Sequence, residues 1–320
     1  MTNQKAPTFR RSRAGLGFLA GIALAIAGQP VPSFATVPVD LELVLAVDVS
    51  GSMDREEAQM QRAGYVSALL DPKVLRAIRA GYHGRIAATY VEWSGWDYNE
   101  VITGWRLLDD EESVRVFSDV IAAAPLTRGR YTSISGAIEF SLPLFDTNTY
   151  ESKRRVIDVS GDGPNNSGRL VLVARDEAIA AGITINGLPI VNERVDPFGW
   201  PQLPHLDLYY ENCVIGGPRA FMVVAEGFHT FAAAIRKKLV IEIAGFMSGE
   251  GEWTGFGREP SFVPRAAHAR PGPEPLHMVS GEVLPGPASL AEAVPPTCDA
   301  GEKMLQQRMM QWQWNLDQNR

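Results

Sequence analysis

Apolar runs of the length of a β-strand alternate with segments of helical periodicity through much of this chain. Residues 41–47 are nearly all apolar, which is typical of a strand buried on both faces of a sheet. The next segment has apolar residues at helical spacing, with Asp54 as its expected amino-terminal cap and an end before Asp71. The same pattern predicts strands over residues 85–93, 100–108, 156–160, 183–190 and 220–225, and helices over residues 111–123, 133–145, 170–181, 206–212 and 228–243.

This alternation predicts an α/β fold with a doubly wound, mostly parallel central sheet flanked by helices, as in Rossmann-like folds. Residues 100–108 follow the preceding strand so closely that they are a candidate for an edge strand paired as a hairpin. Ligands of such folds bind beyond the carboxyl ends of the strands, where the strand order reverses. Polar residues directly after strands are therefore the first candidates for a functional site.

The amino terminus has the layout of a secretory signal peptide over residues 1–35. The first 13 residues carry four basic residues and no acidic one, and a small, apolar run follows over residues 14–28. Ser33 and Ala35 are small residues at the positions that signal peptidase reads, so cleavage is expected after Ala35. A retained anchor is the alternative, but this run is shorter than the roughly 20 residues needed to span a bilayer. We therefore expect an exported protein, periplasmic or extracellular in a bacterium, whose mature chain does not span a membrane.

The carboxyl-terminal part differs in composition from the globular domain expected over residues 36–245. From Ala244 onward the chain holds nine of its 22 prolines, and residues 246–302 are predicted to be an extended or disordered tail. Residues 303–320 form a possible short amphipathic helix. One face of this helix would carry Leu305, Met309, Trp312 and Leu316. It either packs on its own domain or binds a partner.

Charge and cysteine content exclude several classes of function. The formal net charge is -7, and no dense basic stretch follows the first 15 residues, so nucleic acid is not expected as a partner. Two cysteines exclude a disulfide-stapled scaffold and a four-thiolate zinc site. Cys213 and Cys298 either form one bridge that tethers the tail or leave Cys213 as a buried free thiol. The five histidines lack metal-binding spacing, so a metal would need oxygen ligands.

Three oxygen-rich loops supply such ligands. Asp48, Ser50 and Ser52 alternate directly after the first strand, and alternate side chains of an extended loop point the same way. Thr132 lies in a glycine-containing loop before a helix, and Asp162 follows the strand over residues 156–160. Each loop alone is also explained as a helix cap or a turn. Carboxylate and hydroxyl oxygens are the ligands that Mg2+ prefers, so together the loops indicate a Mg2+ or Mn2+ site.

In this order the three loops resemble the metal-ion-dependent adhesion site (MIDAS) of von Willebrand factor type A (vWA) domains. In those domains an Asp-x-Ser-x-Ser loop, a threonine loop and an aspartate loop hold one divalent cation. Stretches over residues 165–168, 174–178, 182–190 and 214–218 are similar to an uncharacterised, secreted bacterial branch of that superfamily. The resemblance implies a vWA-like domain in which Ser50, Ser52 and Thr132 ligate the cation directly. Asp48 and Asp162 would ligate it directly or through water.

The resemblance further implies a non-enzymatic protein that engages a carboxylate of a protein or peptide ligand through the cation. Arg130, Tyr131 and Trp96 are expected at the rim, where they would set the choice of partner. One alternative is a metal-dependent, phosphatase-like hydrolase with Asp48 as nucleophile, although the loops offer neither His nor Lys as a base. Another is a vWA fold that has lost its metal, because Gly161 stands where many members have a hydroxyl residue and bulky residues precede the threonine.

Overall fold

The computed structural model of the protein describes residues 36–192, 195–196, 199–245, 263–264 and 295–318. The expected signal peptide over residues 1–35 lies outside the described residues. So does the predicted tail, except for residues 263–264 and 295–302. None of the helices described is long and apolar enough to cross a membrane.

Strands and helices alternate as the sequence pattern predicts. The strands are β1 Val37–Pro38, β2 Glu42–Asp48, β3 Ile86–Trp93, β4 Asn99–Leu108, β5 Tyr150–Glu151, β6 Arg155–Gly161, β7 Thr184–Val191, β8 Phe221–Met222, β9 Ala225–Glu226 and β10 Val263–Pro264. The α-helices are α1 Arg55–Leu69, α2 Pro72–Arg79, α3 Glu111–Ala123, α4 Ile134–Ser141, α5 Val171–Ala180, α6 Leu206–Tyr209, α7 Phe228–Ala244 and α8 Ala300–Gln318.

The central sheet has the strand order β10-β8-β7-β6-β2-β3-β4, and β9 pairs with β7 beside this path. The pairings between β3, β2, β6, β7 and β8 are parallel. Strand β4 is antiparallel to β3 at the edge, so the candidate hairpin partner is found there. The predicted α/β class with a mostly parallel sheet is confirmed.

Apolar cores lie on both faces of the sheet. One core combines residues of β2 and β3 with α1, α2, α3 and α7, and the other combines residues of β2, β6 and β7 with α4, α5 and α6. Every residue of β2 and of β3 is buried. The continuous apolar run over residues 41–47 therefore reflects a strand covered on both sides.

Two predicted helices are divided. The helix predicted over residues 133–145 is α4 followed by a 3-10 helix over Leu142–Asp146. Pro143 lies in the first turn of that 3-10 helix, where its missing N–H and its ring prevent α4 from continuing. The helix predicted over residues 206–212 is α6 followed by the π-helical turn Tyr210–Val214.

Two further segments differ from the prediction. The strand predicted over residues 220–225 is two short strands, β8 and β9, that pair with different parts of β7. The sequence pattern does not predict helix α2, because Asp71 and Pro72 also indicate the end of the preceding helix. Asp71 also caps α2, and Pro72 occupies its first position, where a missing N–H costs nothing.

The carboxyl-terminal segment packs on the domain. Residues 295–302 belong to the predicted extended tail, but Cys298 is joined to Cys213 by a disulfide with 5.4 Å between the Cα atoms. Helix α8 begins at Ala300, three residues before the predicted start. Its second half leaves large apolar side chains exposed: Met309, Met310, Trp312, Trp314 and Leu316.

The strand order reverses at β2. From β2 the chain passes to β3 and β4 on one side, and it later adds β6 and β7 on the other side. The carboxyl ends of β2 and β6 are therefore neighbours at the point where ligands bind in open α/β sheets.

Candidate functional site

The first loop of the site begins at Asp48, the last residue of β2. Its carboxylate is fully buried, and Oδ1 accepts a 2.7 Å hydrogen bond from the backbone N–H of Ser50. The hydroxyl oxygens of Ser50 and Ser52 are 2.9 Å apart. Gly51 lets the threonine loop approach, because a Cβ there would lie 2.9 Å from the carbonyl oxygen of Gly129.

The aspartate loop is joined directly to the serine loop. Asp162 follows β6 and is 4% exposed, and its Oδ1 accepts a 2.5 Å hydrogen bond from the hydroxyl group of Ser52. The backbone carbonyl of Asp162 accepts a 2.5 Å hydrogen bond from the Gln202 amide. Neighbouring loops therefore form hydrogen bonds with both the side chain and the backbone of Asp162.

The threonine loop completes the group. The N–H of Thr132 donates to Asn166 Oδ1 at 2.9 Å, and the N–H of Asn166 donates to the carbonyl of Thr132 at 2.8 Å. Thr132 is buried, and it lines one cleft together with Ser52 and Asp162. The structure therefore brings Asp48, Ser50, Ser52, Thr132 and Asp162 together.

Burial makes the two carboxylates of the site costly to ionise. It raises the pKa of Asp48 well above its usual range, and the nearby charge of Asp162 raises it further. Burial likewise raises the pKa of Asp162 to about 7, and the negative charge of Glu57 adds to this effect. A bound cation would favour the ionised form of both groups.

The donor set fits a hard divalent cation. It consists of three hydroxyl and two carboxyl groups, all with oxygen ligands of the kind that Mg2+ takes. Oδ2 of Asp48 is buried and has no hydrogen-bond partner within the described part of the chain. No group of three or more His, Cys, Asp or Glu residues is placed to hold a metal in that same part. A cation would therefore depend on the hydroxyl oxygens.

Residues 38–247 match the family described as "Protein of unknown function (DUF1194)". The chain belongs to this family. A search of curated proteins finds no match to it.

Several solved structures resemble this DUF1194 chain at low sequence identity. A von Willebrand factor type A protein from Catenulispora acidiphila is 16% identical with a TM-score of 0.45, over 64% of this chain and 43% of that chain. Proximal thread matrix protein 1 from the mussel byssus, in a structure with a zinc-occupied MIDAS motif, is 15% identical with a TM-score of 0.47, over 65% and 49%. BatB from Bacteroides thetaiotaomicron is 18% identical with a TM-score of 0.43, over 64% and 100%.

The chain spans less than half of the length of the first two of these structures. One of these structures is a von Willebrand factor type A protein, the superfamily that the loop motifs resemble.

The three predicted rim residues of this DUF1194 chain lie outside the cleft. The Arg130 guanidinium is 5.9 Å from the centre of the Tyr131 ring, and both residues are exposed. Trp96 is 68% exposed. The residues that line the cleft include none of these three.

The cleft is walled instead by the loop after β7 and by α8. Met304 and Arg308 of α8 line the cleft together with Asp196 and Trp200 of that loop. A 3.3 Å ion pair joins the Arg308 guanidinium to Asp196 Oδ2, and the guanidinium lies 5.1 Å from the centre of the Trp200 ring. The sequence pattern does not predict this wall, because Met304 and Arg308 line the cleft whereas Met309, Trp312 and Leu316 of the predicted apolar face are exposed.

Helix α8 is held beside the aspartate loop. The Asn165 side-chain amide donates a 2.8 Å hydrogen bond to Glu302 Oε1. A Cβ on Gly301 would lie 1.9 Å from the carbonyl oxygen of Asn165, so only glycine permits this approach. Together with the disulfide at Cys298, these contacts make α8 part of the cleft.

Proposed function

We propose that this chain is an exported, non-enzymatic binding protein that uses one divalent cation, Mg2+ or Mn2+, to engage a carboxylate of a protein or peptide partner. The ligands would be Asp48, Ser50, Ser52, Thr132 and Asp162. The observation that carries the proposal is the chain of hydrogen bonds from the Ser50 hydroxyl through the Ser52 hydroxyl to the Asp162 carboxylate. It brings oxygens from two strand ends to the point where the sheet reverses its strand order.

The composition of the donor set supports binding of an external carboxylate. Asp48 and Asp162 would supply two negative charges, and the three hydroxyl groups would add oxygen ligands without further charge. Because Mg2+ takes six oxygen ligands, these five side chains would leave one position of its octahedron for a carboxylate of a partner. The cleft beside the site gives that partner access past Thr132 and Asp162.

The environment of Asp48 argues against the hydrolase alternative. Its side chain is fully buried, and one oxygen is held by the Ser50 N–H, so it is poorly placed to attack a substrate. Two further carboxylates line the cleft, but each has a structural role. Glu57 caps α1 by accepting a 2.9 Å hydrogen bond from the Asp54 N–H, and Asp196 pairs with Arg308.

The disulfide supports export. Disulfides persist in oxidising compartments such as the periplasm and the extracellular space, and this one joins Cys213 to Cys298. The exposed side chains of Arg130, Tyr131 and Trp96 remain proposed contacts for a partner outside the cleft. Arg308 and Trp200 are proposed as contacts within it, because both line the cleft next to Asp162.

Titration calorimetry with Mg2+ and Mn2+ tests the proposed site. We expect one binding event in the wild-type protein that is lost in Asp48→Ala and retained in Asp119→Ala, whose carboxylate is exposed on α3. Equal heats in the wild type and Asp48→Ala would refute the site. A screen with phosphoesters and peptides should give no metal-dependent turnover, whereas turnover that is lost in Asp48→Asn would support the hydrolase.

The role of the carboxylate is tested with a ligand pair. Acidic peptides should bind only with Mg2+ present, and the matched peptides with Asn and Gln in place of Asp and Glu should not bind. Binding that survives a chelator would contradict a bridging cation.

A further inference from the structure

A buried tyrosine hydroxyl group lies behind the serine loop and the aspartate loop. Tyr210 begins the π-helical turn after α6, and its side chain is fully buried. Its hydroxyl oxygen has no hydrogen-bond partner in the described part of the molecule. A buried hydroxyl group in that state destabilises the fold unless a further group or a water pairs with it.

This hydroxyl group and the outer oxygen of Asp48 face the same small gap. A Cβ built on Gly161 would lie 2.8 Å from Asp48 Oδ2 and 2.9 Å from the Tyr210 hydroxyl oxygen. Each oxygen is therefore within about one hydrogen-bond length of the same point, and one water in this gap can bridge the two groups. Any side chain at position 161 would fill that gap, which explains the glycine there.

The two groups are chemically complementary. A phenol is protonated at neutral pH and donates one hydrogen bond, and an ionised carboxylate only accepts. Asp48 Oδ2, like the tyrosine hydroxyl, is buried without a partner among the described residues. Its other oxygen is already fixed by the Ser50 N–H. A second hydrogen bond, to Oδ2, would therefore fix the Asp48 carboxylate in one orientation.

We propose that Tyr210 is a positioning residue of the cation site, whose hydroxyl group donates to Asp48 Oδ2 directly or through one water. This inference rests on the proposed function, because the orientation of Asp48 matters only if it ligates a cation. Tyr210 thereby supplies from a distant turn the hydroxyl group that is missing at Gly161. The Cys213–Cys298 disulfide lies in the same turn and fixes it against the domain.

The test compares Tyr210→Phe with Tyr90→Phe as a matched control. The Tyr90 hydroxyl group is also fully buried and has no hydrogen-bond partner among the described residues, but its side chain belongs to the core on the other face of the sheet. Both variants should melt, free of metal, at or above the wild-type temperature, because each loses an unpaired polar group. Calorimetry should show Mg2+ affinity reduced about 10–100-fold in Tyr210→Phe alone, as for other residues that orient metal ligands.

Three results are distinguishable. If the wild type binds Mg2+ and Tyr210→Phe binds it within twofold of the wild type, the role of Tyr210 is refuted and the cation site stands. If neither Mg2+ nor Mn2+ binds the wild type, both proposals are refuted. If Mg2+ affinity falls equally in Tyr90→Phe, the effect is one of general packing and the role of Tyr210 is again refuted.

A spectroscopic measurement adds a readout that packing alone would not change. Addition of Mg2+ should alter the near-ultraviolet tyrosine absorbance of the wild type and of Tyr90→Phe, because the Tyr210 hydroxyl group responds to the carboxylate it bonds. An equal change of this absorbance in Tyr210→Phe on addition of Mg2+ would overturn the proposal.

Discussion

The hydroxyl group of Ser52 donates a 2.5 Å hydrogen bond to Asp162 Oδ1, and so joins two loops that lie 110 residues apart in the chain. The two loops follow β2 and β6, which are neighbours in the sheet. Ser52 also lies 2.9 Å from the Ser50 hydroxyl group. One side chain therefore links the two halves of the proposed cation site.

Replacement of this link should affect both stability and metal binding. In Ser52→Ala, Asp162 Oδ1 loses its partner while buried, so we expect a loss of about 1–3 kcal/mol in the free energy of unfolding. Mg2+ affinity should fall at least about tenfold, since a ligand is lost. Urea unfolding and calorimetry measure the two effects. Ser118→Ala is the control, because Ser118 is buried on α3 without a hydrogen-bond partner among the described residues. Unchanged Mg2+ affinity in Ser52→Ala would count against Ser52 as a ligand.

The metal-free protein should be less stable at pH 8 than at pH 5.5. Burial raises the pKa of Asp162 to about 7 and that of Asp158 to about 6, and it raises the pKa of Asp48 as well. A carboxyl group with a raised pKa binds its proton more tightly in the folded state. The free energy of unfolding therefore falls as pH rises from the unfolded pKa, near 4, through the folded pKa. Groups with a lowered pKa, such as Asp110, titrate below this window.

Thermal melts with and without Mg2+ at the two pH values measure this dependence. Asp162→Asn should flatten it, because one of the contributing groups no longer titrates. Mg2+ should stabilise the wild type more at pH 8 than at pH 5.5, since protonated carboxyl groups bind the cation weakly. Identical dependence on pH in the wild type and Asp162→Asn would contradict the raised pKa of this group.

The position of α8 should depend on Gly301. In Gly301→Ala the new Cβ would lie 1.9 Å from the Asn165 carbonyl oxygen, which is backbone and has little freedom to move. Alanine favours helix formation more than glycine does, so any loss would come from the contact rather than from the helix itself. We expect faster proteolysis of α8 and weaker binding of acidic peptides, with Mg2+ affinity unchanged.

A matched glycine separates this effect from a general one. A Cβ on Gly104 of β4 would meet nothing within 4 Å, so Gly104→Ala should leave both measurements unchanged. If Gly301→Ala is cleaved no faster than the wild type, α8 does not depend on this contact.

A buried charge cluster should make Lys238 important for stability. Its ammonium group is fully buried on α7 and lies 2.6 Å from Asp158 Oδ1 and 2.8 Å from Glu242 Oε2. Lys238→Met would leave two buried carboxylates without a cation, so we expect a loss of about 3–5 kcal/mol in the free energy of unfolding. Urea unfolding measures it, with Lys303→Met at an exposed ion pair as the control. If Lys238→Met lowers the free energy of unfolding no more than Lys303→Met does, the two carboxylates bind protons in place of the missing ammonium group.

Much of the fold follows from local patterns. The continuous apolar run before Asp48 indicates a strand covered on both faces, and β2 is buried along its whole length. The alternation of Asp48, Ser50 and Ser52 indicates side chains on one side of a loop. Because parallel strands end at one edge of a sheet, the polar residues after β2 and β6 were expected to meet there.

The walls of the cleft could not be derived in this way. Arg308 lies beyond a proline-rich stretch and reaches Asp196, 112 residues earlier, only because α8 packs beside the aspartate loop. Arg130 and Tyr131 are adjacent to Thr132 in sequence, yet the residues that line the cleft do not include them. Their place at the rim of the cation site stays a prediction.

The sequence by itself determined the class of fold, the strands and the loops with ligand-type side chains, because periodicity and turn residues act over a few neighbouring positions. The tertiary structure alone decided which elements cover those loops. The Tyr210 hydroxyl group behind Gly161 and the helix held by Cys213–Cys298 depend on packing between segments 49 and 85 residues apart. A local pattern indicates that a segment forms a helix or a strand, whereas the surface on which that element packs depends on the shape and the contacts of the whole domain.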